Sequence, residues 1–187
     1  MAEIGIKPFE GNKKKHALSG ILALLFCAAA VGFDQFTKHL AVIYLKGNSG
    51  IELIEGVFEL YYLENRGAAF GMFQNMQVFF VIGAVAIVFV VGYFYEKMPH
   101  TPKYYPLRIC AVFLCAGAVG NMIDRVRQNY VVDFFYFSLI DFPVFNVADC
   151  YVVGSCILFI LVILFYYRDE NDFSWIQQER KRQSHGK

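Results

Sequence analysis

Four runs of apolar residues, Ala17 to Phe33, Val78 to Tyr95, Leu107 to Ile123 and Cys150 to Tyr167, each come close to the roughly 20 residues that a helix needs to cross a hydrocarbon core of about 30 Å. A helix in the core of a soluble protein is shorter and carries one apolar stripe, whereas these runs are apolar on every side. Lipid offers no water to peptide groups, so such a run is stable only as a helix that closes its own hydrogen bonds. Composition agrees: 57% of the 187 residues are hydrophobic and only 18% charged, well beyond the apolar share of a soluble domain. The expectation is an all-α membrane protein with four transmembrane helices. A net charge of +1 supplies no polycation for nucleic acid.

The first run follows Lys13, Lys14 and Lys15, and ALSGILALLFCAAA behind that triplet also has the form of a secretory signal peptide. The polar cluster DQFTK directly after the run, and three further spans, favour a retained helix. Lys7, Lys13 to Lys15, Lys97, Lys103, Arg108, Arg168, Arg180 to Arg182 and Lys187 fall on one side of the spans, against Lys38, Lys46, Arg66, Arg125 and Arg127 on the other. The excess of cations assigns the first side, with both termini, to the cytoplasm and turns the loops 34–77 and 124–149 outward.

The chain then divides into a basic cytoplasmic arm at 1–16, a membrane domain at 17–167 and a cytoplasmic tail at 168–187 with Trp175 as an interfacial anchor. Between spans two and three, MPHTPKYYP has prolines that forbid a continuous helix and reads as a simple connection. In the first outer loop, Ile51 to Ile54, the Glu55-Gly56 turn and Val57 to Leu63 predict a small extracytoplasmic β-hairpin. Its Tyr61 and Tyr62 suit the headgroup level. Cys27, Cys110, Cys115, Cys150 and Cys156 form no CxxC pair, so the expectation is buried free thiols, with neither a disulfide framework nor a metal site.

Polar residues collect at one depth. Asp34 and Lys38 sit at the outer end of span one, Asn121, Asp124 and Arg125 at that of span three, and Asn146 and Asp149 at the start of span four; Asp133 in the second outer loop can reach them. An aspartate at the centre of a bilayer costs about 2.5–3.5 kcal/mol, less toward the interface, so several at one level call for a compensating reason. Asp34 and Lys38 are four apart and share a helix face, which suits a structural salt bridge as well as a catalytic role. Asp124 reads as a carboxylate neutralised by Arg125, and CAGAVG ahead of it lets helices approach closely.

Asp133 and Asp149 have no cation within four residues and lie among apolar side chains. Burial disfavours their charged forms, and two such carboxyls brought together would share a proton. That is the preparation for peptide hydrolysis by an aspartate pair, one taking a proton from water while the other donates. Asp141, beside Pro143, reads as solvated.

DQFTK, NRGAAFG, GNMIDR, VVDF and FNVAD, in this order across four spans, resemble the signature blocks of lipoprotein signal peptidase (signal peptidase II). The resemblance covers about residues 17 to 167. It implies a bacterial inner-membrane aspartic endopeptidase that, without metal or cofactor, removes the signal peptide from diacylglyceryl-modified prolipoproteins at the lipobox cysteine. It further implies a monomer in contact with membrane lipid, with its active site near the outer leaflet. Asp133 and Asp149 inherit the catalytic role; Asp34, Lys38, Asn65, Asn121, Asp124, Arg125 and Asn146 match positions that shape the site or hold substrate. Gly67, Ala69 and Ala148 would keep backbone close and the groove open. The arm and tail are not family features, and the segment between the two aspartates is slightly short.

A proton-coupled transporter is the alternative reading. It predicts ionisable groups spread through the membrane depth and an internal repeat, and neither is visible in the sequence. A non-enzymatic scaffold would leave the unpaired aspartates without a purpose.

Overall fold

The computed structural model describes residues 10–67, 72–169 and 172–176. Four helices form the body: α1 (Glu10–Leu45), α2 (Gln77–Lys97), α3 (Tyr105–Gln128) and α4 (Val147–Leu161), the last continuing as a wider π-type turn over Val162–Tyr166. Four segments, Ala17–Leu45, Gln77–Lys97, Pro102–Gln128 and Val147–Tyr166, are long and apolar enough to span a membrane. None of the residues of α2 is buried. In water such a helix would be unstable; in lipid the same surface is solvated, which accounts for its uniform Val, Ile and Phe content.

The central element is α3, which packs against α1, α2 and α4. The CAGAVG stretch permits this approach. A Cβ on Gly117 would come 2.5 Å from the carbonyl oxygen of Ala148, and one on Gly120 would come 2.6 Å from Asp34 Oδ2. Ala116 is fully buried.

Two helices run further than the apolar runs suggest. The spanning part of α1 continues to Leu45, about 43 Å along the axis, which carries its outer end beyond the hydrocarbon. Asp34, Lys38, Ala41 and Leu45 are all buried, at spacings of four, three and four. This stripe faces the rest of the protein and keeps the chain helical where an outer loop was expected from residue 34. Likewise α3 continues through Asp124 to Gln128 and ends at Asn129, whose φ of 60° closes the helix in a left-handed cap.

A three-stranded antiparallel sheet of order β1-β2-β3 caps the outer end. The expected hairpin is present as β1 (Ile51–Ile54) and β2 (Phe58–Asn65). The third strand, β3 (Val131–Tyr136), falls where a loop was expected. It is covered on both faces, which is why its VVDFFY shows no alternation. Val132 and Phe134 pack with Ala41, Leu45 and Val147. Phe145 bonds back to Phe135 through both backbone groups, N–H to O at 3.0 Å and the reverse at 2.8 Å, and this returns the chain beside β3 just before α4 begins.

The opposite end is held by a second cluster of Met98, Tyr104, Leu107, Val162 and Tyr167, against which Phe173 and Trp175 pack. Trp175, expected to be an interfacial anchor, lies edge-on to Tyr104 and packs on this cluster. The five cysteines are free, but Cys150 and Cys156 are on the exterior, where a lipid-facing thiol is a small apolar group; the expectation that all would be buried is corrected. Residues 1–9 and 177–187, most of the expected arm and tail, lie outside the described residues, and α1 begins already at Glu10.

Gly117→Leu should lower unfolding free energy by about 1–3 kcal/mol or more through overpacking. Gly83→Ala, where a Cβ meets nothing within 4 Å, should leave it unchanged. Thermal unfolding in detergent, followed by loss of helical circular dichroism, compares the two.

Candidate active site

Asp133 lies on β3 opposite Leu63 of β2, and Asn65, two residues further along β2, projects on the same face. Its amide donates to Asp133 Oδ2 at 2.8 Å. The other carboxylate oxygen, Oδ1, accepts from Asn146 Nδ2 at 2.6 Å. Asp133 is 1% exposed.

Asn146 is the N-cap of α4 and is fully buried. Its Oδ1 accepts from the backbone N–H of Asp149 at 3.0 Å, and Asp149 Oδ2 accepts from the backbone N–H of Asn146 at 3.1 Å. This reciprocal capping box satisfies two orphan donors of the first helical turn. Because the amide nitrogen of the same side chain reaches Asp133, one residue touches both aspartates. Asp149 Oδ1 accepts from Asn121 Nδ2 of α3 at 2.8 Å. None of the ion pairs among the described residues involves Asp133 or Asp149.

Behind the pair, Lys38 Nζ lies 2.9 Å from Asp34 Oδ2, 3.0 Å from Asp124 Oδ2 and 2.8 Å from Asn121 Oδ1. An ammonium has three donors, and all three are taken. Asp34 Oδ1 accepts from the backbone N–H of Ala148 at 2.9 Å, and Asp124 Oδ2 from that of Val132 at 3.3 Å. The i,i+4 pairing of Asp34 with Lys38 is therefore present and buried. The partner of Asp124 is Lys38, not Arg125, which corrects the reading from sequence: Arg125 instead donates to Gly67 O at 3.2 Å and stacks on Phe80 at 4.5 Å.

Gln35 escaped the sequence reading. Its Nε2 bridges Asp34 Oδ2 at 3.2 Å, Gly120 O at 3.2 Å and Asp124 Oδ1 at 2.9 Å, joining α1 to α3. The signal was its place in DQFTK, one residue around the helix from the buried Asp34, on a helix that had to continue.

Gly67 is buried; its N–H donates to Asn65 Oδ1 at 2.9 Å, and a Cβ there would come 2.5 Å from Met72 O. The glycine thus lets the loop fold back tightly while Asn65 faces Asp133. Ala148 is fully buried at the crossing of α1, α3 and α4, so it keeps backbone close but does not line an open groove. Ala69 lies outside the described residues. Asp141 is exposed and accepts from the Tyr136 hydroxyl at 2.7 Å, away from the pair.

Burial pushes the Asp133 carboxyl up to about 7, and the neighbouring Asp149 charge adds to the rise. The Asn65 and Asn146 amides and, more distantly, Lys38 act the other way. A carboxyl that holds its proton near neutrality, beside a second carboxyl gripped by the same asparagine, is suited to acid and base work on a peptide bond.

Lys38→Met leaves two buried carboxylates without their cation and should cost about 3–5 kcal/mol of stability. Thermal unfolding of the variant beside the native protein reads the loss, with Thr37→Ala as a neighbouring control.

The family model described as signal peptidase (SPase) II matches residues 26–165. Curated lipoprotein signal peptidases are similar in sequence: that of Caldanaerobacter subterraneus subsp. tengcongensis is 46% identical over 145 residues, 76% of this chain and 96% of the relative. That of Streptococcus thermophilus is 40% identical over 143 residues, 76% and 90%. The fold is similar to a bacterial membrane enzyme solved in meso at 2.3 Å resolution, with a TM-score of 0.71 and 31% identity over 80% of this chain and 92% of that one. A second such structure, at 1.9 Å resolution, gives 0.68 and 32%, covering 78% of this chain and 94% of that one. By the extent of the family match and the identity to these relatives, the chain belongs to the signal peptidase II family and is a bacterial multi-pass inner-membrane peptidase.

Proposed function

We propose that this chain cleaves signal peptides from diacylglyceryl-modified prolipoproteins at the lipobox cysteine, using Asp133 and Asp149 as a proton-sharing pair. The observation that carries the reading is the double grip of Asn146, whose side chain and backbone hold both aspartates at once. Family membership supplies the reaction class. Its relatives are named for lipoprotein processing.

The pair holds one proton between its members. The ionised carboxylate takes a proton from water as the water oxygen bonds to the scissile carbonyl carbon, while the protonated one donates to the carbonyl oxygen. Collapse of the tetrahedral intermediate breaks the C–N bond, with a proton passed to the leaving amine. Asn65, Asn121 and Asn146 keep the carboxyls turned toward the peptide. Lys38, Asp34 and Asp124 hold the asparagines and helix ends in place without touching substrate.

Orientation follows from the cation count, with both termini in the cytoplasm and the aspartates near the outer leaflet. A lipid-anchored substrate then reaches the pair sideways, with its acyl chains still in the membrane. One chain supplies both carboxyls, so a monomer suffices. Neither the family nor the position of the carboxylates at one end of the bundle favours a proton-coupled transporter.

Asp133→Asn and Asp149→Asn should each lower turnover by about 10²- to 10⁴-fold or more in a cleavage assay on lipid-modified prolipoprotein in membranes. Asp124→Asn, which keeps both members of the pair, should retain partial activity. Full activity in either of the first two variants, with normal insertion, would sink the assignment.

The sign of the pH effect also follows. The ordinary carboxyl value is about 4, so between about pH 4 and 7 the folded protein binds more protons at Asp133 than the unfolded chain does. Its contribution is fully present below about 4 and is lost as pH rises through 7. Turnover should fall on the same alkaline side. Thermal unfolding of Asp133→Asn across this range should show a flatter pH dependence than the native protein.

A further inference from the structure

At the end of the bundle opposite the aspartates, Arg108 is only 5% exposed. Its Nη2 donates to Met98 O at 2.6 Å, its Nη1 to Ser19 Oγ at 3.3 Å, and the guanidinium lies 4.5 Å from the centroid of the Tyr95 ring. Its Nε–H is buried without a hydrogen-bond acceptor, and none of the ion pairs among the described residues involves it. Arg108 also stands in the first turn of α3, where the helix's own partial charge is positive, and that turn contains no acidic residue. Glu96 of α2 faces Gly20 of α1. A buried cation in this state is costly unless an anion completes it. The Lys38 cluster at the other end contains its own anions; Arg108 does not.

Beside Arg108 opens a groove of about 870 Å³ between α1 and α3. Ser19 and Tyr95 gather round Arg108 at one end; His100, Tyr105 and Tyr151 also line the groove, and the rest of the wall is apolar, including Leu22, Phe26, Ile109 and Phe113. Leu22, Phe26 and Ile109 are 45%, 68% and 48% exposed, so the groove is open sideways to the bilayer. From Ser19 to Ala30, both in its lining, α1 rises about 16 Å, which is half of a hydrocarbon core of about 30 Å and hence the depth of one leaflet. One charged end and an apolar trough of leaflet length are complementary to an amphiphile with a negative head.

We propose that this groove binds an anionic membrane phospholipid, its phosphate on Arg108 and Ser19 and an acyl chain along α1 and α3. The signal helix of a substrate fits less well, because its basic leading segment would meet Arg108. The lipid would complete the cation and fill the space between two helices that otherwise meet mainly through the small residues further out.

The test uses the full-length protein in nanodiscs of zwitterionic lipid that contain phosphatidylglycerol with a photoreactive diazirine on its acyl chain. Adducts are expected between Leu18 and Ala30 and between Tyr105 and Phe113. Unlabelled phosphatidylglycerol should displace the probe about fivefold better than phosphatidylcholine does. Arg108→Gln should abolish this preference and Arg108→Lys should keep it. Ala23→Phe, which fills the groove and leaves Arg108 in place, should reduce labelling itself, with Tm checking that each sample is folded. Equal displacement by the two lipids, adducts spread over all four helices, or displacement only by a basic signal-peptide helix would each overturn the proposal.

Discussion

The interaction on which the outer half of the molecule depends is that of the buried Lys38 ammonium. It binds Asp34 on its own helix and Asp124 on α3, and its third donor goes to Asn121 Oδ1. That last contact fixes an orientation. With its oxygen turned to Lys38, Asn121 must present its Nδ2 to Asp149. Asp34 then spends its other oxygen on the N–H of Ala148, one of the donors that the start of α4 cannot satisfy within the helix. A charge on α1 thus determines how α3 and α4 meet and which way the amide beside Asp149 points.

Such a centre makes sense only with lipid as the solvent. Between helices surrounded by hydrocarbon, apolar contact gives little net driving force, so close backbone approach and interhelical hydrogen bonds hold the bundle. Gly117 and Gly120 provide the approach, and Gln35, Lys38 and Asn121 the bonds. Much of α2 is exposed as lipid-facing surface, yet Phe80 on it stacks with Arg125, whose other contact is Gly67 O in the loop that carries Asn65. Through Arg125, the second span also bears on the site.

Much of this could be read from the sequence because its signals are local. The spans rest on uninterrupted apolar length, the close crossing on CAGAVG, the hairpin on Ile51 to Leu63, and the polar level on charges at helix ends. What escaped was long-range. The strand β3 has no alternation to announce it, since both of its faces are covered, and its pairing with β2 brings together Asn65 and Asp133, which are 68 residues apart. The partner of Asp124 was misread for the same reason: the nearer cation along the chain, Arg125, is turned away, and the effective one comes from another helix. Even the end of α1 required knowing that Ala41 and Leu45 would find β3 to pack against.

Asn146 has a consequence for timing. It is at once the residue that starts α4 and the residue that spans the two aspartates, so the pair comes into existence only when the first turn of α4 has wound and docked beside β3. A chain whose last span is not yet seated has both carboxyls but no arrangement of them. Seating of the last span and alignment of the two carboxyls are therefore one event, carried by a single side chain.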